Sequence, residues 1–444
     1  RCRRGPRRGI APPRRPFPVK LEPRLKIDHE RCVKPSETIA RLEAFVGSQH
    51  DFWIHEETVG PDLYWAAMFI EGMEFRTMGK GSNPECARAG ALAEGAEWLA
   101  ARAVGDLPGY AWGREGDFAN AIPIRQFLPH IATATPPLLR RIEDLEAAGH
   151  WVDAFSLTQN GTVKIPLEYV RIISGPNGRA SGNTLEEALI HAANEVFERR
   201  AHIAVLKNRL VVPTIAEESV TNPVIRRQMA FLRERGIDFV LKDLSFEGTL
   251  PCVGVYFWDK NIPPDFQFHH FFKIGASFDR EEALGRCFTE YTQGRKAGEF
   301  LDANSPGYPE KLRQLLDHDF RRIGTLGKDC DNFMSAFMFG MVPYRSADFL
   351  LEGPVVPFDP GTRHADCLGD IEDAKRTFAA LGLDFLAIDL TDPTIGFPVV
   401  QVVVPGYSDV LPYHAPSSPA LFRAITRSEV LASYPTLPCG SHQV

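Results

Sequence analysis

Ser181-Gly-Asn-Thr-Leu-Glu-Glu-Ala188-Leu-Ile-His-Ala-Ala-Asn-Glu195-Val-Phe-Glu198-Arg199 runs from a small-residue turn into a helix-length stretch. Ala188, Glu195 and Glu198 stand at i, i+7 and i+10, which is one face of an α-helix. The spacing recurs at Ala87, Glu94 and Glu97 and, with an amide in the last place, at Ala283, Glu290 and Gln293. The chain therefore lays a small residue and two oxygen-bearing side chains along one stripe of three helices.

Each stripe follows a glycine loop: Gly79-Lys80-Gly81, Gly175-Pro-Asn-Gly178-Arg-Ala-Ser-Gly182-Asn183 and Ile274-Gly275-Ala276. Each helix also opens on a capping-box pattern, Ser82-x-x-Glu85, Thr184-x-x-Glu187 and Asp279-x-x-Glu282. From Gly81 to Glu94 and from Gly182 to Glu195 is 13 residues, and from Gly275 to Glu290 is 15. That regularity marks one recurring unit. A second unit interleaves with it: an amphipathic helix, a glycine (Gly149, Gly236 or Gly382), a strand and a hairpin, clearest in Gly236–Tyr256 and Gly382–Val403. Cutting the chain into separate domains would part the helices from the strands they pack on. The expectation is one α/β body with interleaved internal pseudo-repeats.

Composition agrees. Of 444 residues, 44% are hydrophobic and 24% charged, the profile of a globular protein, and no apolar run nears the roughly 18 residues that a membrane helix needs. Residues 1–26 hold ten Lys/Arg and six Pro against one acid, so they read as a disordered basic tail. Segment 300–353 reads as an insertion and 413–444 as a Pro/Ser-rich tail, leaving 27–412 as the domain. The chain opens on Arg1, which suggests that its true start is missing. Eight scattered cysteines with no CxxC pair fit isolated thiols in a reducing, cytoplasmic setting.

Carboxylates gathered within about 4 Å repel by a few kcal/mol per pair, so a cation belongs between them. An all-oxygen set without His or Cys favours Mg2+, which is usually shared with substrate phosphates. Glycine loops entering helix N-termini offer N–H groups to those phosphates. Lys80 and Arg199 add positive charge, so a Mg·nucleotide site is the economical reading. Glu85, Glu187 and Glu282 fit cap positions, Asn183 a loop, and only Glu187 also shares the face of Glu198. Gly79-Lys80-Gly81-Ser82 lacks Walker spacing, and there is no GxSxG, HExxH or GxGxxG. His364-x-Asp366-Cys367 and His269-His270 read as ordinary loop or strand residues.

Taken together, Gly79-Lys-Gly81, Ala87-x6-Glu94-x-x-Glu97, Ser181–Ala188, Glu195–Arg199 and Thr289–Arg295 resemble the signature segments of the YcaO family, over roughly Ile27 to Pro412. The resemblance implies a YcaO-type ATP-binding fold with ATP and Mg2+ as cofactors. The implied activity is phosphorylation of a peptide or protein backbone amide, leading to thioamidation or azoline-type cyclodehydration. By the same resemblance Glu94, Glu97, Glu195, Glu198 and Glu290 are acidic ATP and metal positions, and Asn183, Glu187, Arg199 and Gln293 contact nucleotide. Gly90, Trp98 and Ala180 depart from the family's usual serine, arginine and serine. The end lacks the Pro-x-Pro-x-Pro tail of azoline-forming members, whereas Thr289–Arg295 and Val404–Pro412 look more like members that assist methylthiolation of a ribosomal protein. Partners implied are a peptide or protein substrate, a TfuA-like or E1-like protein or a methylthiotransferase, with a homodimer also open. A non-catalytic accessory role and metal binding without nucleotide are the competing classes.

Overall fold

Strand ends that carry glycine feed directly into alanine-rich helices, and these passages shape the computed structural model. It describes residues 17, 20–28, 31–73, 76–101, 107–127, 148–262, 269–295, 302, 304–308, 310, 311, 347–393 and 396–408. The helices are α1 (Pro35–Gln49), α2 (Pro84–Ala100), α3 (Ile124–Phe127), α4 (Leu167–Ile173), α5 (Leu185–Asn208), α6 (Pro223–Glu234), α7 (Arg280–Thr292) and α8 (Cys367–Ala380). A three-stranded antiparallel sheet holds β1 (Phe52–Gly60), β2 (Leu63–Ile70) and β3 (Arg76–Gly81). A second sheet has the order β11-β10-β9-β8-β12: β11 (His270–Ala276), β10 (Cys252–Asp259), β9 (Ile237–Asp243), β8 (Thr214–Ile215) and β12 (Val355–Val356). The third has the order β4-β5-β13-β14-β7, with β6 beside β5: β4 (Ala111–Gly113), β5 (Gly149–Ser156), β6 (Gly161–Pro166), β7 (Arg179–Ser181), β13 (Leu386–Asp389) and β14 (Val399–Val403).

The α/β expectation is met. Helix α5 is buried on most of its circumference, polar residues included, and runs through the largest core, packing Ala188, Ala192, Val196 and Phe197 among Tyr256, Phe272 and Val402. Amphipathic α6 is capped by Asn222, whose side chain accepts from the Val224 and Ile225 amides, and it buries Ile225, Met229 and Leu232.

Several local expectations change. Gly79–Gly81 and Gly275–Ala276 end strands β3 and β11 and are not loops, because pairing with β2 and β10 satisfies their backbones. The small stripe residues find their reason here: a Cβ at Gly79 would collide with the backbone of Ala87, one at Gly182 with Ala188, and one at Gly275 with Ala283. Of the capping boxes, only Thr184 caps as read, accepting from the Glu187 amide at 3.2 Å. The first helix starts one residue later, on Asn83, whose side chain accepts from Cys86 N, and Asp279 makes no side-chain cap bond. Residues 20–26, placed by composition in a disordered tail, are docked: Lys26 N donates to Ala365 O at 2.9 Å, and Lys26 forms a buried ion pair with Asp370. Composition averaged them with the Arg/Pro-rich run 1–16, which lies outside the described residues. So do the helix expected before Gly149, most of segment 300–353, and the tail from 409 onward.

Candidate active site

The stripes come from α2, α5 and α7, and main-chain amides aim three carboxylates of the first two. Glu94 on α2 accepts from Met78 N at 2.6 Å. Glu97, one turn on, accepts from Ser181 N at 2.8 Å and Ser181 Oγ at 2.9 Å. Glu195 on α5 accepts from Gly178 N at 2.9 Å. Met78 lies within β3, the strand before α2, while Gly178 just precedes β7 and Ser181 ends it, ahead of α5. Trp98, where the family resemblance leads one to expect arginine, also hydrogen-bonds Glu94.

Cations are interleaved. Arg199 lies 3.4 Å from Glu195 and 3.8 Å from Glu198, and Lys80 on β3 pairs with Glu290 on α7. Burial pushes Glu97 up to about 8 and raises Glu195 and Glu94, the last opposed by the Met78 amide. Burial, then the charge of Arg286, lowers Lys80 to about 8. Burial, then Lys80 and Arg199, lowers Lys273 to about 7, and burial lowers Arg179 against the pull of Glu97 and Glu195. Desolvated carboxylates and desolvated cations thus share one site, which suits a polyanion and a hard cation bound together. Among the described residues no three Asp, Glu, His or Cys side chains gather closely enough to hold a metal ion unaided. That donor set still fits Mg2+, which ordinarily takes one or two carboxylates and completes its shell with phosphate oxygens and water.

Lys80, Glu94, Glu97, Glu195, Glu198, Arg199 and Glu290 are therefore brought together. Asn183 and Glu187 are placed differently, at the N-terminal end of α5 under the N-terminal segment. Thr38 Oγ1 donates to Asn183 Oδ1 at 2.8 Å, Asn183 Nδ2 to Glu187 Oε1 at 2.9 Å, and Cys32 N to Glu187 Oε2 at 3.0 Å. Gln293 is the C-cap of α7, and the neighbouring Gly294 lies beside the Met78 side chain. Sequence reasoning missed Arg179, Ser181, Lys273 and Arg286 as site residues. Two of them lie inside the quoted glycine segment. Arg286 stands four residues before Glu290, so helical spacing could have flagged it.

Comparisons with known proteins bear on the fold and the family. The chain is 31% identical over 263 residues to the ribosomal-protein methylthiotransferase accessory factor YcaO of Escherichia coli, covering 57% of this chain and 40% of that protein. An uncharacterized protein of Haemophilus influenzae is 31% identical over 146 residues, 33% of this chain and 24% of its own length. The chain thus spans well under half of these two relatives. An uncharacterized protein of Methanothermobacter thermautotrophicus is 24% identical over 85% of this chain and 95% of its own. In fold, a heterocyclase solved with substrate and cofactor matches with a TM-score of 0.66 at 22% identity, covering 88% of this chain and 54% of that one. YcaO from Methanopyrus kandleri, bound with AMPPCP and Mg2+, matches with a TM-score of 0.59 at 21% identity, covering 86% and 94%. Residues 78–408 match the sequence model described as YcaO cyclodehydratase, ATP- and Mg2+-binding, and the chain belongs to that family.

Proposed function

We propose that the protein uses ATP and Mg2+ to activate a peptide or protein backbone amide for thioamidation or azoline-type cyclodehydration. The observation that carries this reading is the set of main-chain-anchored carboxylates, Glu94, Glu97 and Glu195, interleaved with Arg199 and Lys80. ATP supplies the phosphoryl group that turns a poor leaving group, the amide oxygen, into a good one.

The chain's own residues position and neutralise. Glu94, Glu97, Glu195 and Glu198 would offer oxygens to Mg2+; main-chain amides hold the first three in place before anything binds, and Arg199 lies beside Glu198. Glu290 restrains Lys80, and with Arg199 that lysine offers positive charge to phosphate oxygens. Asn183, Glu187 and Gln293 are the remaining nucleotide-side residues of this reading. The domain is taken as 27–412 together with the docked residues 20–26, with a TfuA-like or E1-like protein or a methylthiotransferase as partner, a homodimer as an open arrangement, and the cytoplasm as its place. No helix among the described residues is long and apolar enough to cross a membrane.

Titration calorimetry with Mg2+ and a non-hydrolysable ATP analogue tests the reading. Glu198→Ala is expected to abolish binding while the fold, read by circular dichroism, is kept. Unchanged nucleotide affinity in that variant overturns it.

The identity to the Escherichia coli accessory factor supports a second reading, an accessory protein for ribosomal-protein methylthiolation with weak or no ATPase activity. Magnesium-dependent ATP turnover stimulated by a candidate peptide counts against it. Stable association with a methylthiotransferase, without such turnover, supports it.

A further inference from the structure

Cys32 and Cys367 are 335 positions apart in the chain, yet their Sγ atoms lie 3.4 Å from each other. The approach is built by backbone pairing. Cys367 N donates to Arg24 O at 3.0 Å, Leu25 bridges Asp366, and Ile27 N donates to Arg31 O at 2.8 Å, which returns the chain to set Cys32 beside the first residue of α8. Cys32 is half-buried, open to a small reagent, and Cys367 is fully buried. The other described cysteines, Cys86, Cys252 and Cys287, are buried, Cys252 in the same core cluster as Cys367 and Cys287 in a second one.

We propose that Cys32 and Cys367 are an oxidisable dithiol, a modification site that a hydroperoxide converts into an intramolecular disulfide fastening the N-terminal segment to α8. The thiolate of Cys32 attacks the peroxide oxygen, the O–O bond breaks, and the displaced alkoxide takes a proton and leaves as an alcohol. Cys32 is then a sulfenic acid. Cys367 Sγ attacks Cys32 Sγ, and the hydroxide that leaves takes the Cys367 proton as water. Two thiols lose two electrons and two protons, and the peroxide gains them.

The roles of the two sulfurs follow from their surroundings. The hydrogen bond from Cys367 lowers Cys32 below the ordinary thiol range, against burial and the charge of Glu187. The same bond, with burial, raises Cys367. Cys32 is thus the attacking thiolate and Cys367 the resolving thiol. Closing the bond needs the sulfurs to approach to about 2.05 Å, a short movement for a half-exposed loop side chain. The disulfide would also hold the Cys32 amide on Glu187.

The test treats the full-length folded protein with tert-butyl hydroperoxide and maps its peptides by mass spectrometry. The expected result is one cross-linked pair containing residues 32 and 367, reversed by dithiothreitol, together with the loss of both thiols from the native thiol count and a raised melting temperature. Cys32→Ser is expected to show none of these. Recovery of Cys32 as a sulfinate, as an unmodified thiol, or joined to another cysteine overturns the proposal, and that result is read on the wild-type chain.

Discussion

His270 shows how one residue sets a pH dependence. Its Nδ1 is 2.7 Å from the Tyr256 hydroxyl, and the two rings stack at 5.6 Å with 7° between their planes. Burial, with His269 next to it, lowers His270 from 6.5 to about 3. Between those values the unfolded chain binds a proton that the native state refuses, so stability is whole above pH 6.5 and falls as pH drops through the window. The slope is about 1.4 kcal/mol per pH unit. From pH 7 to pH 5, urea unfolding is expected to lose about 2 kcal/mol more in the wild type than in His270→Gln. Equal losses in the two proteins contradict this account. In the sequence, His269-His270 reads as ordinary loop or strand residues. Its burial depends on β10 lying against β11, which no local pattern states.

At the scale of elements, the recurring device is a glycine in or beside a strand end pressed on the alanine of the helix that follows. Gly275→Ala would place a Cβ against the backbone of Ala283, and backbone cannot move aside as a side-chain tip can. The variant is expected to lose about 3 kcal/mol of unfolding free energy. Gly161→Ala meets open space and is expected to stay within about 0.5 kcal/mol. If the two variants melt alike, the packing argument fails. Gly90 belongs to the same contact, since a Cβ there would stand 3.2 Å from Gly79 Cα, so the missing serine accompanies a close strand-to-helix approach. These elements were legible because an alanine and two glutamates at helical spacing are local information. Lys273 and Arg179 were not, because they join the site only through the register of β11 on β10 and of β7 on β14. Asn83 took the cap from Ser82 by a shift of one residue, which pattern alone leaves open.

Over the whole molecule, the N-terminal segment ties α5 to α8. Glu22 N donates to Glu186 at 2.8 Å, Cys32 N to Glu187, and Lys26 is paired with Asp370 where both side chains are nearly inaccessible. Removing one partner of a buried pair strands the other charge, so Lys26→Met is expected to destabilise the protein by about 3–5 kcal/mol. Lys26→Met with Asp370→Leu is expected to recover most of that, and protease cleavage near residue 26 should rise in the single variant only. No recovery in the double variant would show that the segment docks by other means. The α/β body could be read from the alternation of helix and strand patterns. This docking could not, since each contact joins residues more than 150 positions apart and the segment's composition resembles a solvated tail.

The amides that hold Glu94, Glu97 and Glu195 belong to the main chain of Met78, Ser181 and Gly178. Every amino acid but proline carries that donor, so the amides of Met78 and Ser181 outlast most changes of side chain. The Ser181 hydroxyl on Glu97 would not, and Gly178, at φ 74°, leaves no room for a Cβ beside Val402 O. Outside the glycines pressed on helix backbone, a change of strand side chain therefore leaves these main-chain donors where they are. A substitution such as Met78→Leu would thus alter the surface of β3 without re-aiming the carboxylate of Glu94.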